Sequence, residues 1–215
     1  KAAFAVDACM ESFRLAADWG ADVLFVHHGL FWSEQLRVCG GHYERLRFLM
    51  ERGLSLYAVH LPLDMHPVVG NNAGLADVLG LVEREPFGLY KGFQIGVKGR
   101  FPVRTGREEV AGRLFGPQAE PLARLLPFGK AEVGSVGIVS GGAPFEALQA
   151  VDEGLDMYIT GESSHSVYHQ AQEAGLNILF AGHYQTETWG VRLVAEKTRE
   201  DTGCETRFFD VPTGL

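Results

Sequence analysis

The sequence predicts an α/β fold, and three observations carry that reading. Short apolar runs alternate with segments of helical period. Those runs are nearly unbroken, as in strands covered on both faces by helices. A chain of 215 residues that is 46% hydrophobic and 21% charged, without a low-complexity tract, can bury a sizeable core. The expected architecture is two α/β lobes with mostly parallel sheets, residues 1–84 and 133–215, joined by a small β-rich connector, residues 85–132. No sequence repeat links the lobes.

"KAAFAV" at the start reads as a strand already under way at Lys1, so natural sequence ahead of it is expected to be missing. A helix follows from about Ala8 to Trp19, with Gly20 as its cap. The strand "DVLFV" (22–26) comes next, then a helix from Tyr43 to Arg52 that ends at Gly53. "LSLYAV" (54–59) is the next buried strand, and Asn72–Leu79 the next helix. From Glu85 to Phe101, glycines and aromatics with loose alternation predict a β-hairpin. A helix over Glu108–Phe115 and a connector over 116–132 complete the middle of the chain. The last lobe reads as strands at 133–139, 156–160 and 177–181, alternating with helices at Pro144–Glu153, Ser164–Ala174 and Glu187–Asp201.

In open α/β sheets, ligands bind beyond the carboxyl ends of the strands. The 22–26 run ends in His27-His28, and the 54–59 run in His60 with Asp64 four residues on. The run ending at Val139 leads into Ser140-Gly141-Gly142, the next into Gly161-Glu162, and the last into Gly182-His183 with Glu187 following. Four of these five ends deliver imidazole or carboxylate to one edge. A lone histidine after a strand is more often a hydrogen-bonded structural residue, and Glu187 alone suits a helix N-terminus, where a carboxylate gains about 0.3–1 kcal/mol. Jointly, the bland explanations need several coincidences at one sheet edge, and a metal site needs none.

Imidazole with carboxylate suits Zn, Mn, Fe or Co, and the lack of paired thiolates argues against a structural zinc site. Adjacent residues of a regular strand face opposite ways. His27 and His28 are therefore expected to share a site only where the strand has ended, and Gly29 is placed for that turn. Adjacent ligands suit two ions side by side, bridged by a carboxylate, for which Asp64 and Glu187 are the candidates. His183 and Glu187, at i and i+4, share a helix face. The Ser140–Gly142 turn offers backbone N–H groups to an anion. His42 and His66 read as surface or loop residues.

Composition closes other routes. Net charge is −8 with no basic cluster, so a broad nucleic-acid surface is not expected. No apolar run reaches the roughly 18 residues of a membrane span. The three cysteines, Cys9, Cys39 and Cys204, form no CxxC pair, which fits a reducing, cytoplasmic setting. No G-x-G-x-x-G follows a strand, so a dinucleotide module is poorly supported.

The stretches "ADVLFVHHGLFW", "YAVHLPLD" with "NNAGLADVLGL", and "YITGESSHSVYHQAQEAGLNILFAGHYQTETWGVRLVAE" resemble the signature regions of the Nif-three-like family, also described as GTP cyclohydrolase I type-two homologues. The resemblance covers nearly the whole chain, and HHG, H-x-x-x-D and GH-x-x-x-E in this order are specific. It implies two similar α/β lobes, a homohexameric toroid, and two divalent ions per chain (Zn, Fe or Mn) at His27, His28, Asp64, His183 and Glu187. His60, Glu162 and His169 match positions in or near the same pocket; His60 and Glu162 are suited to moving a proton there. Family members commonly read H-T-N-x-D where this chain has His60-Leu61-Pro62-Leu63-Asp64, a proline that bears on how Asp64 is presented. The inserted domain of longer members has no room between 85 and 132.

The implied function is a metal-dependent hydrolase acting on a small anionic or nucleotide-like substrate, with GTP ring opening suggested by the family's name. The alternative is a non-catalytic metal-binding scaffold or regulator. An exchangeable coordination position would separate the two, because a purely structural site is closed by protein ligands.

Overall fold

A computed structural model of the chain describes residues 1–32, 36–116 and 123–214. The α/β class holds, and the described strands form two sheets. The first contains β1 (Ala2–Asp7), β2 (Val23–His28), β3 (Ser55–Ala58) and β10 (Thr206–Phe208), in the order β10-β1-β2-β3 and parallel throughout. The second contains β4 (Val82–Tyr90), β5 (Phe93–Gly106), β6 (Arg124–Pro127), β7 (Glu132–Val139), β8 (Met157–Thr160) and β9 (Asn177–Phe180), in the order β4-β5-β7-β8-β9-β6.

That second sheet is mixed. Only β7, β8 and β9 pair in parallel; the other pairings are antiparallel. The expected hairpin exists, but β5 hydrogen-bonds to β7, so it extends the sheet instead of bridging two lobes. Part of the segment expected as a plain connector forms β6 and pairs with β9, while residues 117–122 lie outside the described residues. Both additions cover what would be open edges of a three-stranded parallel core. The unbroken run 54–59 also misled: β3 is an edge strand, and Tyr57 is 62% exposed.

The helices are α1 (Met10–Trp19), α2 (Gly40–Arg52), α3 (Leu61–Asp64), α4 (Asn71–Leu79), α5 (Arg107–Phe115), α6 (Ala147–Asp152), α7 (Tyr168–Ala174) and α8 (His183–Thr202). A capping box between Cys9 and Ser12 starts α1. Where continuous helices were expected, α6 and α7 are preceded by single 3-10 turns, Pro144–Glu146 and His165–Val167.

Packing ties the sheets together. On one face of the parallel sheet, Ala3, Leu24 and Val26 pack with Phe13 and Ala16 of α1. On its other face, Ala2 and Phe4 pack with Val191 and Ala195 of α8, a helix that leaves the second sheet at β9. Conversely α4, which follows β3, packs Leu75, Ala76 and Leu79 against Ile138, Ile159 and Leu179 of the second sheet. Each sheet is thus covered in part by a helix that follows a strand of the other. Gly74 permits the α4–α8 contact, since a Cβ there would lie 2.9 Å from the Trp189 Cβ.

Candidate metal centre

The strand-end rule brings both sheets to one place. The first sheet delivers Asp7 at the end of β1, His27 and His28 at the end of β2, and His60 just after β3. From the second come Ser140 after β7, Glu162 after β8, and His183 with Glu187 in the first turns of α8 after β9.

Glu187 is the hub. It is only 3% exposed, and its Oε1 lies 3.4 Å from His27 Nε2. Its Oε2 lies 3.1 Å from His28 Nε2 and 3.2 Å from His183 Nε2. His27 is fully buried and its Nε2 also faces Asp64 Oδ2 at 3.4 Å. Asp64 is held from behind: its Oδ1 accepts hydrogen bonds from Asn71 Nδ2 and Ser140 Oγ, each at 2.8 Å. Pro62 sits in the first turn of α3, the short helix that carries Asp64 inward, so the family departure leaves the carboxylate in place.

The other nitrogen of each histidine is occupied. His27 Nδ1 lies 3.0 Å from the Val59 carbonyl, His28 Nδ1 2.8 Å from Asp7 Oδ1, and His183 Nδ1 2.6 Å from Glu162 Oε1. His60 stands over the cluster, its ring 5.0 Å from that of His27 and edge-on to Trp32 at 4.9 Å.

Electrostatics follow from this packing. Burial raises the Asp64 carboxyl above its ordinary range. Burial would do the same to Glu187, but its contacts with His183, His27 and His28 outweigh it and hold the carboxyl far below that range. Burial disfavours the charged form of His28, yet its contacts with Asp7 and Glu187 raise it to about 10. His183 rises to about 9, first through Glu187 and, against burial, with help from Glu162. His60 falls to about 4 through burial and the neighbouring His27 and His28. The cluster therefore demands positive charge beside Glu187.

A divalent cation fits that demand better than protons do. His27 Nε2 and Glu187 Oε2 are buried without a hydrogen-bond partner. Such orphaned atoms cost about 1–3 kcal/mol each unless something else coordinates them. Among the described residues, three overlapping sets have ligand atoms within 4.8 Å of one another: His27, Asp64 and Glu187; His28, His183 and Glu187; and His27, His28 and His60. The two sets that contain Glu187 offer nitrogen and oxygen donors, and the third offers imidazole nitrogens alone, both of which borderline divalent ions accept. Above them opens a cleft of about 590 Å³, walled by Trp32, His60 and Leu61 and by Tyr90, Lys91 and Ile95 of the β4–β5 hairpin.

Several expectations need revision. β2 continues through His28, which is in register with Asp7, so the strand has not ended between the two histidines. They converge because both long imidazoles reach past the strand end to one carboxylate. Gly29 serves a close approach instead, since a Cβ there would lie 2.7 Å from that of Ala58. The Ser140–Gly142 turn is no open anion cradle: the Ser140 N–H donates to Asn72 Oδ1 and the Gly141 N–H to Thr186 Oγ1. Gly141 also packs against Glu187, and Gly142 against Glu162, so carboxylates face the turn. Glu162 stands behind His183, which makes it a support for that ring. His169 lies on the exposed side of α7 beside His165 and Tyr168, away from the cluster. His66 caps the Val68 and Val69 N–H groups, and His42 packs edge-on to Phe31.

Asp7, Asn71 and Asn72 were missed. Asp7 stands at the end of the first strand, where the same rule would have found it. Asn71 bridges Asp64 to the Gly190 N–H, and Asn72 bridges the Ser140 N–H to the carbonyls of Asp64 and Ile95. Two adjacent asparagines at a helix start gave no hint of that clamp.

A family profile described as Duf34/NIF3 (NGG1p interacting factor 3) matches residues 1–213. The chain is similar to a protein of Archaeoglobus fulgidus named GTP cyclohydrolase 1 type 2 homolog, 46% identical over 215 residues, covering 100% of this chain and 85% of that one. A Treponema pallidum protein of the same name is 43% identical, covering 100% and 86%. Among solved structures, protein TTHA1606 from Thermus thermophilus is similar with a TM-score of 0.87 at 41% identity, covering 100% of this chain and 84% of that one. A protein described as ybgI, of unknown function, gives a TM-score of 0.91 at 32% identity, covering 100% and 85%.

Proposed function

The chain belongs to the Duf34/NIF3 family, and from that premise we propose that it holds two divalent ions, zinc, iron or manganese, and acts as a metal-dependent hydrolase. One observation carries the reading: two donor sets, His27/Asp64/Glu187 and His28/His183/Glu187, share Glu187 on the floor of an open cleft. Of the two candidate bridging carboxylates, Glu187 would be the one shared, because Asp64 belongs to only one of these sets and has one oxygen committed to Asn71 and Ser140. Held by these residues, divalent ions would supply Lewis acidity and would lower the pKa of a bound water from 15.7 toward about 7.

The chain's own residues do the rest. Asp64 and Glu187 fix negative charge, and Asn71 and Ser140 hold Asp64 in place. Of the imidazoles that line the cleft, His28 and His183 are each held by a carboxylate, whereas His60, lowered to about 4, is not, so it is the group to exchange a proton with substrate. Trp32 and Tyr90 offer aromatic surface and Lys91 a cation, which suits a small, planar, anionic substrate. The relatives' name points to a guanine nucleotide as the first one to try.

Among the described residues no helix is long and apolar enough to cross a membrane. Cys9, Cys39 and Cys204 are free thiols, which favours a reducing, cytoplasmic compartment. Self-association into a homohexamer belongs to the same proposal and is supported by exposed Phe31, Met50 and Tyr57 near the β3 edge. Sedimentation equilibrium tests it, and a monomer at micromolar concentration would remove it.

The deciding experiment is metal content by mass spectrometry on untagged protein. Wild type should carry near two equivalents and Glu187→Gln almost none, with GTP and phosphate-ester hydrolysis following the metal. Fewer than a half equivalent in wild type, even after reconstitution with zinc, manganese or iron, would sink the reading.

A further inference from the structure

Asp7 is assigned no role by the cleft. It does not line it, yet its carboxylate lies 2.8 Å from His28 Nδ1, and His28 Nε2 lies 3.1 Å from Glu187. Its position is fixed from two directions. Through β1–β2 pairing Asp7 is in register with His28, and the Ala8 N–H donates to the His28 carbonyl at 2.9 Å. On the other side the Asp7 carbonyl accepts from Ser12 Oγ at 2.7 Å and from the Cys9 N–H at 3.1 Å, so the capping box of α1 holds its backbone. The carboxylate faces a separate cavity of about 210 Å³, which it lines with His28, Glu162, His183 and Tyr184.

An imidazole has two nitrogens, and the partner of one decides what the other can offer. Carboxylates behind metal-binding histidines commonly fix the ring tautomer and its orientation. His27 has a backbone carbonyl in that position and His183 has Glu162; for His28 the partner is Asp7.

We propose that Asp7 is a positioning residue of the metal centre: its carboxylate accepts the Nδ1 proton of His28 and so presents His28 Nε2 as a ligand beside Glu187. This rests on the metal-binding reading above. The competing role is a stitch between β1 and β2 that serves folding alone.

The test uses the full chain as wild type, Asp7→Asn and Asp7→Ala. Zinc affinity is measured by competition with a chelating dye, and the His28 ring is read by long-range ¹H–¹⁵N correlation in zinc-loaded protein. Asp7→Asn keeps a neutral acceptor of the same shape, so it should fold with wild-type circular dichroism. Its zinc affinity should fall 10- to 100-fold, the usual size of such an effect, and wild-type His28 should show a protonated Nδ1 with zinc on Nε2. Wild-type affinity in both variants, or zinc on Nδ1 of His28, would overturn the role of Asp7 while leaving the metal centre standing. Wild type that takes up no zinc would overturn both.

Discussion

The two sheets reach the site by different means. In the parallel sheet, Asp7, His27 and His28 are still strand residues, fixed by backbone pairing. In the mixed sheet the strands stop short, and Ser140, Glu162, His183 and Glu187 follow on turns or in the first turns of a helix. Imidazoles from the rigid side thus meet a carboxylate carried by α8, the helix that packs against the opposite sheet. The site exists only when both sheets are docked, and metal binding should stabilise that docking, because a ligand that binds only the folded state adds its binding free energy to stability.

The largest break in the comparison is Glu187→Gln, since its buried carboxylate contacts His27 and His28 from one sheet and His183 from the other. Removing one partner of a buried charge cluster typically costs about 3–5 kcal/mol. Urea unfolding of chelator-treated protein should show a loss of that order, and a loss below about 1 kcal/mol would mean that the cluster does not hold the sheets together.

A pH series separates the two sides next. His28 and His183 are raised in the folded chain from 6.5 to about 10 and about 9. Metal-free protein therefore has their stabilisation in full below about pH 6.5 and loses it as pH rises through 9 to 10. His60, lowered to about 4, acts in the opposite direction, adding stability above 6.5 that is lost as pH falls through 4. Unfolding free energy should decline between pH 7 and 10 without metal, and zinc uptake at pH 7.5 should release protons measurable by calorimetry in two buffers. Uptake without proton release would contradict the raised values.

Ser140→Ala sharpens the mixed-sheet contribution. It removes one of two donors to the buried Asp64 Oδ1, leaving Asn71. The expected cost is about 1–3 kcal/mol in chelator-treated protein, with the fold retained. A neutral substitution would assign the positioning of Asp64 to Asn71 alone.

The smallest effect lies away from the site on the same sheet. Lys130 pairs with Asp156 at 2.9 Å, but the lysine is 70% exposed and Asp156 keeps Arg104 and the Gly134 N–H. Lys130→Ala should change stability by less than about 1 kcal/mol and leave metal content unchanged. A larger loss would show that charge in the mixed sheet stabilises the chain wherever it occurs, and not specifically at the centre.

Much of this molecule was legible in the chain. Apolar runs gave β2, β7, β8 and β9, and the glycines after Trp19 and Arg52 take left-handed φ values of 78° and 61° as helix caps. The six residues of the donor sets, His27, His28, His60, Asp64, His183 and Glu187, came from asking what each strand end delivers. β10 escaped because three residues, Thr206–Phe208, carry too little pattern, and pair with a strand at the opposite end of the chain. β3 was read as buried because hydrophobicity reports the composition of a strand, not whether a neighbour covers it.

The sequence by itself determined which chemistry stands at the strand ends, because strand formation and the residue that follows are local matters. Tertiary structure alone decided that Glu187, and not Asp64, is shared between donor sets, that Asp7 and Glu162 stand behind His28 and His183, and that the hairpin joins the mixed sheet. Those outcomes depend on distances of a few ångströms between side chains far apart in the chain. Such distances are set by how α4 and α8 pack across the two sheets, and no local pattern encodes them.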